Sequence, residues 1–212
     1  MSAQGAEGVE GCTDTEAPVG AVAPKSKPAA RERLLQAAEE LFYSQGIGAT
    51  GIEAVIARAG VAKGSLYWNF SSKDELVTDY VRRLDAAWWA WLEPRLEAAG
   101  VGAQERLDAL LDAVGEWVSR PGYCGCAFVR AASELPEGHQ GRAVAIGHKA
   151  RMRGVLRQIG TEGGAVDADC FARQAQMLID GAMVCVAISG DTGALGSARK
   201  GMMTLLVAAR AG

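Results

Sequence analysis

Apolar residues recur at spacings of three and four along most of the chain, which is the period of an amphipathic α-helix. No stretch alternates apolar and polar residues as a strand does, so we expect an all-α fold. Glycines, prolines and capping residues divide the pattern into nine predicted helices, and Pro94 is expected to kink or end the fourth. They cover approximately residues 28–45, 51–59, 63–70, 72–94, 103–119, 125–135, 139–159, 167–189 and 192–210.

The third predicted helix has two unlike faces. At the helical period, Leu66 and Phe70 fall on one side, where they can anchor the helix to a core. The other side and its flanks carry Lys63, Gly64, Ser65, Tyr67 and Trp68. A helix that only had to stay soluble would show Glu and Lys there. This face is therefore suited to close approach to a polar, anionic surface.

The residues on either side of this helix carry helix-start and turn signals. Thr50 and Glu53 have the spacing of a capping box for the second helix, and Ser72 and Glu75 have it for the fourth. Gly60 ends the second helix and begins a tight turn into the third. Two short helices joined by a turn that contains Gly are typical of the helix-turn-helix motif.

Composition and charge narrow the class of protein. The 212 residues are 49% hydrophobic and 22% charged, and no apolar run approaches the length of a membrane span. Residues 1–26, acidic and without an apolar signal segment, are expected to be a disordered tail, and the odd number of cysteines, five, predicts reduced thiols in a cytoplasmic protein. Residues 25–83 carry nine basic and seven acidic side chains, a mild indication of nucleic-acid binding.

An ordered set of residues between Arg31 and Arg83 carries a resemblance to a known family. The matching positions are Ala37, Leu41, Phe42, Gly46, Thr50, Ile52, Val55–Ala57, Ala59–Val61, Lys63–Tyr67, Phe70 and Ser72–Leu76. They resemble the DNA-binding domain of the TetR family of transcriptional regulators. This chain departs from the family where Ala62 replaces the usual Ser or Thr helix cap, and where Trp68 and Asn69 replace smaller or more basic pairs.

The resemblance implies a homodimer of nine-helix subunits, each with two domains. Residues 27–74 would form the helix-turn-helix domain that binds double-stranded operator DNA. Residues 75–212 would form a larger helical domain that binds a small-molecule inducer and dimerises. The implied contacts are to base edges or the adjoining backbone from Gly64, Ser65, Trp68 and Asn69, and to phosphates from Thr50, Lys63, Tyr67 and Lys73.

The last two predicted helices each carry a stripe of small and apolar residues. The stripes are Phe171, Ala175, Leu178 and Ala182 on one helix, and Leu195, Ala198, Met202 and Leu205 on the other. Two such helices from each of two subunits would form a four-helix bundle, and the symmetry of most oligomers favours this interpretation. The alternative is that both stripes cover the core of their own chain.

The candidate inducer-binding residues lie in the domain to which the resemblance assigns the inducer. They are Trp88, Trp91, Phe128, Met177 and Asp180. The two tryptophans could equally be core residues of the fourth helix. The carboxylate at position 180 interrupts an apolar stretch, so it must be paired or hydrogen-bonded if it is buried. It could orient an inducer, pair with an arginine such as Arg130, or point into solvent.

The leading hypothesis is a ligand-responsive transcriptional regulator, with repression favoured over activation and with no enzymatic activity, metal or cofactor expected. One alternative is a small enzyme or redox sensor built on Cys124 and Cys126, and another is a helical interaction protein that does not bind DNA. The sequence has no P-loop, HExxH motif, dinucleotide fingerprint or second cysteine pair. The two cysteines are therefore better explained as part of a tight turn before a helix.

Overall fold

The computed structural model describes residues 29–210, and all regular secondary structure in that range is α-helical. The helices are α1 (Ala30–Gln45), α2 (Ile52–Ala59), α3 (Lys63–Asn69), α4 (Lys73–Ala98), α5 (Ala103–Val118), α6 (Ala127–Glu134), α7 (Gln140–Glu162), α8 (Ala168–Ser189) and α9 (Gly193–Ala208). The all-α prediction is confirmed. The tail expected at residues 1–26 lies outside the described range.

The first core lies between α1, α2, α3 and the first half of α4, with α6 and the start of α7 packed against it. Its fully buried large side chains are Leu34, Phe42, Leu66, Phe70, Leu76 and Tyr80. Phe42 and Tyr80 meet edge to face, with ring centroids 5.4 Å apart. Leu66 and Phe70 are the inward residues that the two-faced pattern predicts. The inner face of α3 therefore holds the helix in place, and its outer face is left to solvent.

The second core lies between the second half of α4 and helices α5, α7, α8 and α9. Its fully buried large side chains are Leu92, Leu107, Leu110, Leu156, Ile159 and Phe171. Phe171 needs a small neighbour, because a Cβ added at Gly160 would lie 2.7 Å from its ring. Helix α8 packs on α7 and α9, so the three C-terminal helices form one layered unit.

Helix α4 belongs to both cores. Residues up to Val81 pack in the first core, and residues from Trp88 onward pack in the second. Pro94 does not end the helix, which continues to Ala98. The division of the chain at residue 74 stays a prediction, because one continuous helix crosses it and contributes to both sides.

The capping box predicted from Thr50 and Glu53 is wrong. The N-cap of α2 is Gly51, and it makes no side-chain capping bond. The Thr50 hydroxyl instead donates to the carbonyl oxygen of Gly46 at 2.7 Å. This bond closes the loop after α1, so the residue stabilises the chain before α2 rather than the helix itself.

The other three local predictions around α3 are confirmed. Ala62 is the N-cap of α3 and makes no side-chain capping bond. Ser72 caps α4, since its Oγ accepts from the Glu75 N–H at 3.1 Å, while the Glu75 carboxylate accepts from the Ser71 N–H at 2.7 Å. Gly60 has φ 61°, the left-handed region that favours glycine, and this turns the chain sharply from α2 towards α3.

Candidate functional sites

The outer face of α3 presents two large aromatic side chains to solvent. The Trp68 side chain is 91% exposed and the Tyr67 side chain is 56% exposed. Both follow directly after fully buried Leu66, so the rigid core fixes the direction in which they project. Exposed aromatic side chains held on a short, well-anchored helix are suited to contact with another molecule.

The polar groups on this face are also largely uncommitted. Lys63 Nζ lies 3.0 Å from Glu53 Oε1, and this carboxylate raises the pKa of the lysine. Both side chains are well exposed, so the pair is screened by solvent and can exchange for another anion. A Cβ added at Gly64 would meet nothing within 4 Å, so the fold itself does not require glycine there. Asn69 donates to the Ser65 carbonyl at 2.7 Å, which leaves its amide oxygen free to accept.

Two of the predicted phosphate contacts have a different role within the chain. Thr50 is only 1% exposed and its hydroxyl is already donated, so its side chain cannot reach a phosphate in this arrangement. Lys73 is half-buried and donates to the Ile47 carbonyl at 2.7 Å. An ammonium group has three donors, so Lys73 keeps two for a further acceptor, and its phosphate contact stays a prediction.

Arg33 is a positioning residue that the sequence pattern did not single out. Its guanidinium donates to the Gly60 carbonyl at 3.0 Å and so ties α1 to the turn before α3. A basic residue on α1 gives no local signal of this role, because the acceptor lies 27 residues further along the chain.

A cavity of about 470 Å³ lies between α1 and the helices of the second core. Its lining is mainly aromatic and aliphatic: Trp88, Trp117, Tyr123, Phe128, Met152, Leu156, Ile179 and Met183. Helix α1 supplies part of the wall through Gln36, Glu39, Glu40 and Tyr43. The size and apolar lining are those of a small-molecule site, and the wall includes an element of the helix-turn-helix domain.

Three of the five predicted inducer-binding residues line this cavity: Trp88, Phe128 and Asp180. Trp91 and Met177 do not. The Trp91 ring is stacked between the guanidinium groups of Arg95, 3.5 Å from its centroid, and Arg120, 4.8 Å away. Met177 is 65% exposed because it lies on the uncovered face of α8.

Asp180 pairs with Lys149, not with Arg130. The carboxylate lies 2.6 Å from the lysine Nζ, on the wall that α7 and α8 share. Arg130 is used elsewhere, because its guanidinium donates to the Tyr43 carbonyl at the end of α1. Both charges of the Lys149–Asp180 pair line the cavity, so they compensate each other there.

His148 is the principal cavity residue that sequence reasoning missed. Its Nδ1 lies 2.8 Å from Asp85 Oδ1, which also accepts from Trp89 Nε1 at 2.8 Å. The imidazole stacks on Phe128 with a centroid separation of 3.5 Å and an interplanar angle of 9°. Burial lowers the pKa of His148 to about 4, so the ring is neutral at pH 7. No local pattern pairs residues 85 and 148.

Four contacts join the end of α1 to α6 and to the segment between α5 and α6, and we name them the Tyr43 clasp. The Tyr43 hydroxyl donates to the Gly125 carbonyl at 3.0 Å and accepts from the Cys124 N–H at 3.2 Å. The Tyr43 carbonyl accepts from Arg130 and from Cys124 Sγ. Tyr43 and Gly125 also line the cavity. The clasp therefore connects the cavity wall directly to the first helix of the helix-turn-helix domain.

Five of the eight residues in the predicted dimer stripes are buried in the core of their own chain, as the alternative interpretation expects, and a dimer contact from the stripes stays a prediction. Those buried in the core of their own chain are Phe171, Ala175, Ala182, Ala198 and Met202, and those half-buried are Leu178, Leu195 and Leu205. The solvent face of α8 instead carries Met177, Gly181, Val184 and Ile188, at helical spacing, and we name these residues the exposed stripe.

The exposed stripe leaves α8 half covered. Of the described helices, only α8 has the length and apolar composition that a membrane span requires, and core helices of soluble proteins share these properties. Only 39% of its apolar stretch is buried inside the chain. An apolar face of this length is suited to packing against another protein surface.

Within residues 29–210, no group of three or more His, Cys, Asp or Glu side chains could hold a metal ion. Cys124 and Cys126 are half-buried free thiols in the segment that forms the Tyr43 clasp.

Comparison with known proteins gives one consistent result. Residues 34–80 match the family described as "Bacterial regulatory proteins, tetR family". The regulator TtgR of Pseudomonas putida is 40% identical over 47 residues, and the transcriptional repressor KstR2 of Rhodococcus jostii is 34% identical over 86 residues. The match spans only 22% of TtgR and 41% of KstR2, so these similarities concern mainly the N-terminal helices.

Solved structures extend the likeness over nearly the whole described chain. The TetR-family regulator SCO4454 of Streptomyces coelicolor superposes with a TM-score of 0.79 at 27% identity, covering 85% of this chain and 96% of that one. The TetR-type regulator sav143 of Streptomyces avermitilis superposes with a TM-score of 0.74 at 34% identity, covering 86% and 98%. The similarity therefore includes both domains.

Proposed function

The chain belongs to the TetR family of transcriptional regulators, and from that membership we propose that it is a ligand-responsive repressor that binds a palindromic operator as a homodimer and is released by a small-molecule inducer. The observation that carries the proposal is the presence, in one chain, of an outward-facing α3 and a largely apolar cavity whose wall includes α1. Such a protein acts in the bacterial cytoplasm, where operator DNA lies.

In this proposal α3 enters the major groove with its exposed face towards the bases. Gly64, Ser65, Trp68 and Asn69 would contact base edges or the adjoining backbone, and Lys63, Tyr67 and Lys73 would contact phosphates. The openness around Gly64 supports this assignment, because the DNA backbone can approach α3 closely where no Cβ projects. We leave Thr50 out of the set, since its side chain is buried.

Sequence preference would come chiefly from Trp68. An indole offers one donor and a broad apolar face, which suits a thymine methyl group or a deoxyribose. Lys63 would give up its exposed contact with Glu53 for a phosphate at little cost, since both partners are solvated. The phosphate contacts would set the affinity and the position of α3 along the DNA, and the indole would discriminate between base pairs.

The second subunit would cover the exposed stripe of α8, with α9 beside it, to form a four-helix bundle about a two-fold axis. That symmetry would place two copies of α3 one helical turn of DNA apart, roughly 34–36 Å, on a palindromic site. Replacing Val184, 50% exposed in the stripe, by Arg should shift the protein from dimer to monomer in analytical ultracentrifugation. Ile146, on α7, is 54% exposed, so Ile146→Arg is the matched control and should leave the dimer intact.

The inducer would release the operator DNA by rearranging the Tyr43 clasp. A molecule in the cavity contacts Tyr43 and Gly125, so it favours a conformation in which the clasp is rearranged. Helix α1 packs on α2 and α3, so a shift of α1 reorients the DNA-contacting face. The inducer lowers operator affinity only by the ratio of its affinities for the two conformations. The clasp thus supplies a second route from the cavity to α3, in addition to the long helix α4.

Selection of bound DNA from a random pool tests the proposed function directly. We expect enrichment of a palindrome with two half-sites, because each subunit of the dimer supplies one α3. Enrichment of a single half-site would contradict the dimeric arrangement. No enrichment would contradict DNA binding and favour an interaction protein. Alkylation of the cysteines that changes DNA release would favour the redox alternative.

A further inference from the structure

The polar atoms of the cavity wall show which chemistry the cavity accepts. Two aromatic donors are already used inside the wall, since Trp88 Nε1 donates to Met152 Sδ at 3.3 Å and the Tyr123 hydroxyl donates to the Met183 carbonyl at 3.4 Å. These rings therefore offer a bound molecule mainly their apolar faces.

The charges of the cavity wall are compensated. Lys149 and Asp180 neutralise each other at 2.6 Å. On the α1 side, Glu39 lies 3.4 Å from Arg83 Nε, and Glu40 pairs with Arg58. Arg120, exposed and stacked on Trp117, is the one lining cation with no carboxylate partner in the described part of the chain. A neutral molecule is favoured inside, because an ion would lose hydration without gaining a free counter-charge there.

His148 supplies a fixed hydrogen-bond acceptor. A carboxylate only accepts, so the contact with Asp85 places the ring proton on Nδ1 and leaves Nε2 with a free lone pair. Among residues 29–210, no group forms a hydrogen bond with this Nε2, and His148 lines the cavity. The stacked Phe128 ring and the Asp85 bond hold the imidazole in place, so the acceptor is preorganised.

We propose that the cavity binds a neutral aromatic molecule with a hydroxyl group, which donates its hydrogen bond to His148 Nε2 while its rings pack against Trp88 and Trp117. The function of this molecule as an inducer rests on the proposed function, whereas its binding does not. A phenol fits this description better than an aryl ether, an acid or an amine, because it is uncharged, largely apolar and carries one donor.

A matched series of biphenyls tests the proposal by calorimetry on the full-length protein. 4-Hydroxybiphenyl should bind at least about fivefold more tightly than 4-methoxybiphenyl, which cannot donate. Biphenyl-4-carboxylate and 4-biphenylmethylammonium should bind more weakly than the phenol by about tenfold or more, because burying their charge is costly. Tighter binding of the carboxylate would point to Arg120 and overturn the proposal. Equal binding of phenol and ether, or no binding by any member, would also overturn it.

His148→Phe keeps a ring that can stack on Phe128 and removes the acceptor, so the preference for the phenol over the ether should disappear. Ile146→Ala, on the exposed face of the same helix, should keep it. Should the Phe variant fail to fold, Asp85→Asn is the second test: an amide partner permits either imidazole tautomer, so the preference should fall. An unchanged preference in the folded variants would contradict the role of His148.

The same ligands, added to the protein bound to its selected DNA, separate this inference from the proposed function. The expected ranking in calorimetry with unchanged DNA affinity would uphold the ligand chemistry and contradict induction. Release of DNA by ligands that do not follow the ranking would uphold induction and contradict the ligand chemistry.

Discussion

Two groups of aromatic residues occupy opposite situations in this molecule. On α3, Tyr67 and Trp68 project into solvent from a helix whose inner face is fully buried. In the second domain, Trp88, Trp117 and Phe128 line a cavity of about 470 Å³. The outward pair is placed to contact an external surface, whereas the inward group is placed to contact a small molecule within the cavity. The same residue types therefore serve two kinds of partner, and the surrounding packing decides which.

The largest expected effect separates the two faces of α3. Leu66→Ala should lower the free energy of unfolding by about 2–5 kcal/mol, because it empties a fully buried site. Trp68→Ala should change it by less than about 0.5 kcal/mol, since the indole is almost entirely exposed. Urea denaturation of both variants makes the comparison. Similar losses would show that Trp68 packs within the fold.

The next effect concerns pH and the cavity. The pKa of His148 is lowered to about 4 by burial, against about 6.5 in the unfolded chain, so the unfolded state binds a proton first as pH falls. Stability present above pH 6.5 should decline towards pH 4 by up to about 3 kcal/mol. The wild type and His148→Gln share every other titrating group. In unfolding measured across this range, the wild type should lose up to about 3 kcal/mol more than the variant, and equal declines would contradict the assignment.

Trp68→Ala should alter which DNA is bound. Loss of one base-discriminating side chain removes about 1–3 kcal/mol of preference at the positions it contacts. Repeating the random-pool selection with this variant should relax specific positions in each half-site. Tyr67→Ala should weaken binding across all sequences instead. If both variants lose affinity uniformly, the discriminating role of the indole is wrong.

A smaller effect is expected at the Tyr43 clasp. Tyr43→Phe removes two hydrogen bonds, to Gly125 and from Cys124, and should destabilise the fold by about 1 kcal/mol. Tyr67→Phe, on the exposed face of α3, is the matched control and should have almost no effect. The clasp variant should also weaken the coupling between ligand and DNA in a combined titration. Unchanged coupling would show that inducer binding acts on α3 through α4 and not through the clasp.

The sequence predicted the parts of the molecule that depend on neighbouring residues. Helix positions, the Ser72 cap, and the inward Leu66 and Phe70 follow from local periodicity and capping chemistry. Residues far apart in the chain were not accessible to such reasoning. Asp85 and His148 meet only because α4 and α7 pack together, and Lys149 and Asp180 meet only because α7 and α8 do.

The choice of stripe on α8 was inaccessible to the sequence for a different reason. Helix α8 is apolar both at Phe171 and Ala175, which its own chain covers, and at Met177 and Val184, which remain exposed. Periodicity shows that a helix has an apolar face, but it cannot tell which of two apolar faces is already covered. Only the packing of α8 on α7 and α9 separates them.

The salt dependence of affinity for the selected DNA is the decisive measurement of whether the exposed face of α3 binds DNA. Each phosphate neutralised by the protein contributes about −0.9 to the slope of log affinity against log salt concentration. We expect a steep negative slope for the wild type, and a slope smaller in magnitude by about 2 for Lys63→Ala, since the dimer loses one contact in each subunit. A shallow slope that Lys63→Ala leaves unchanged would contradict DNA binding by this face.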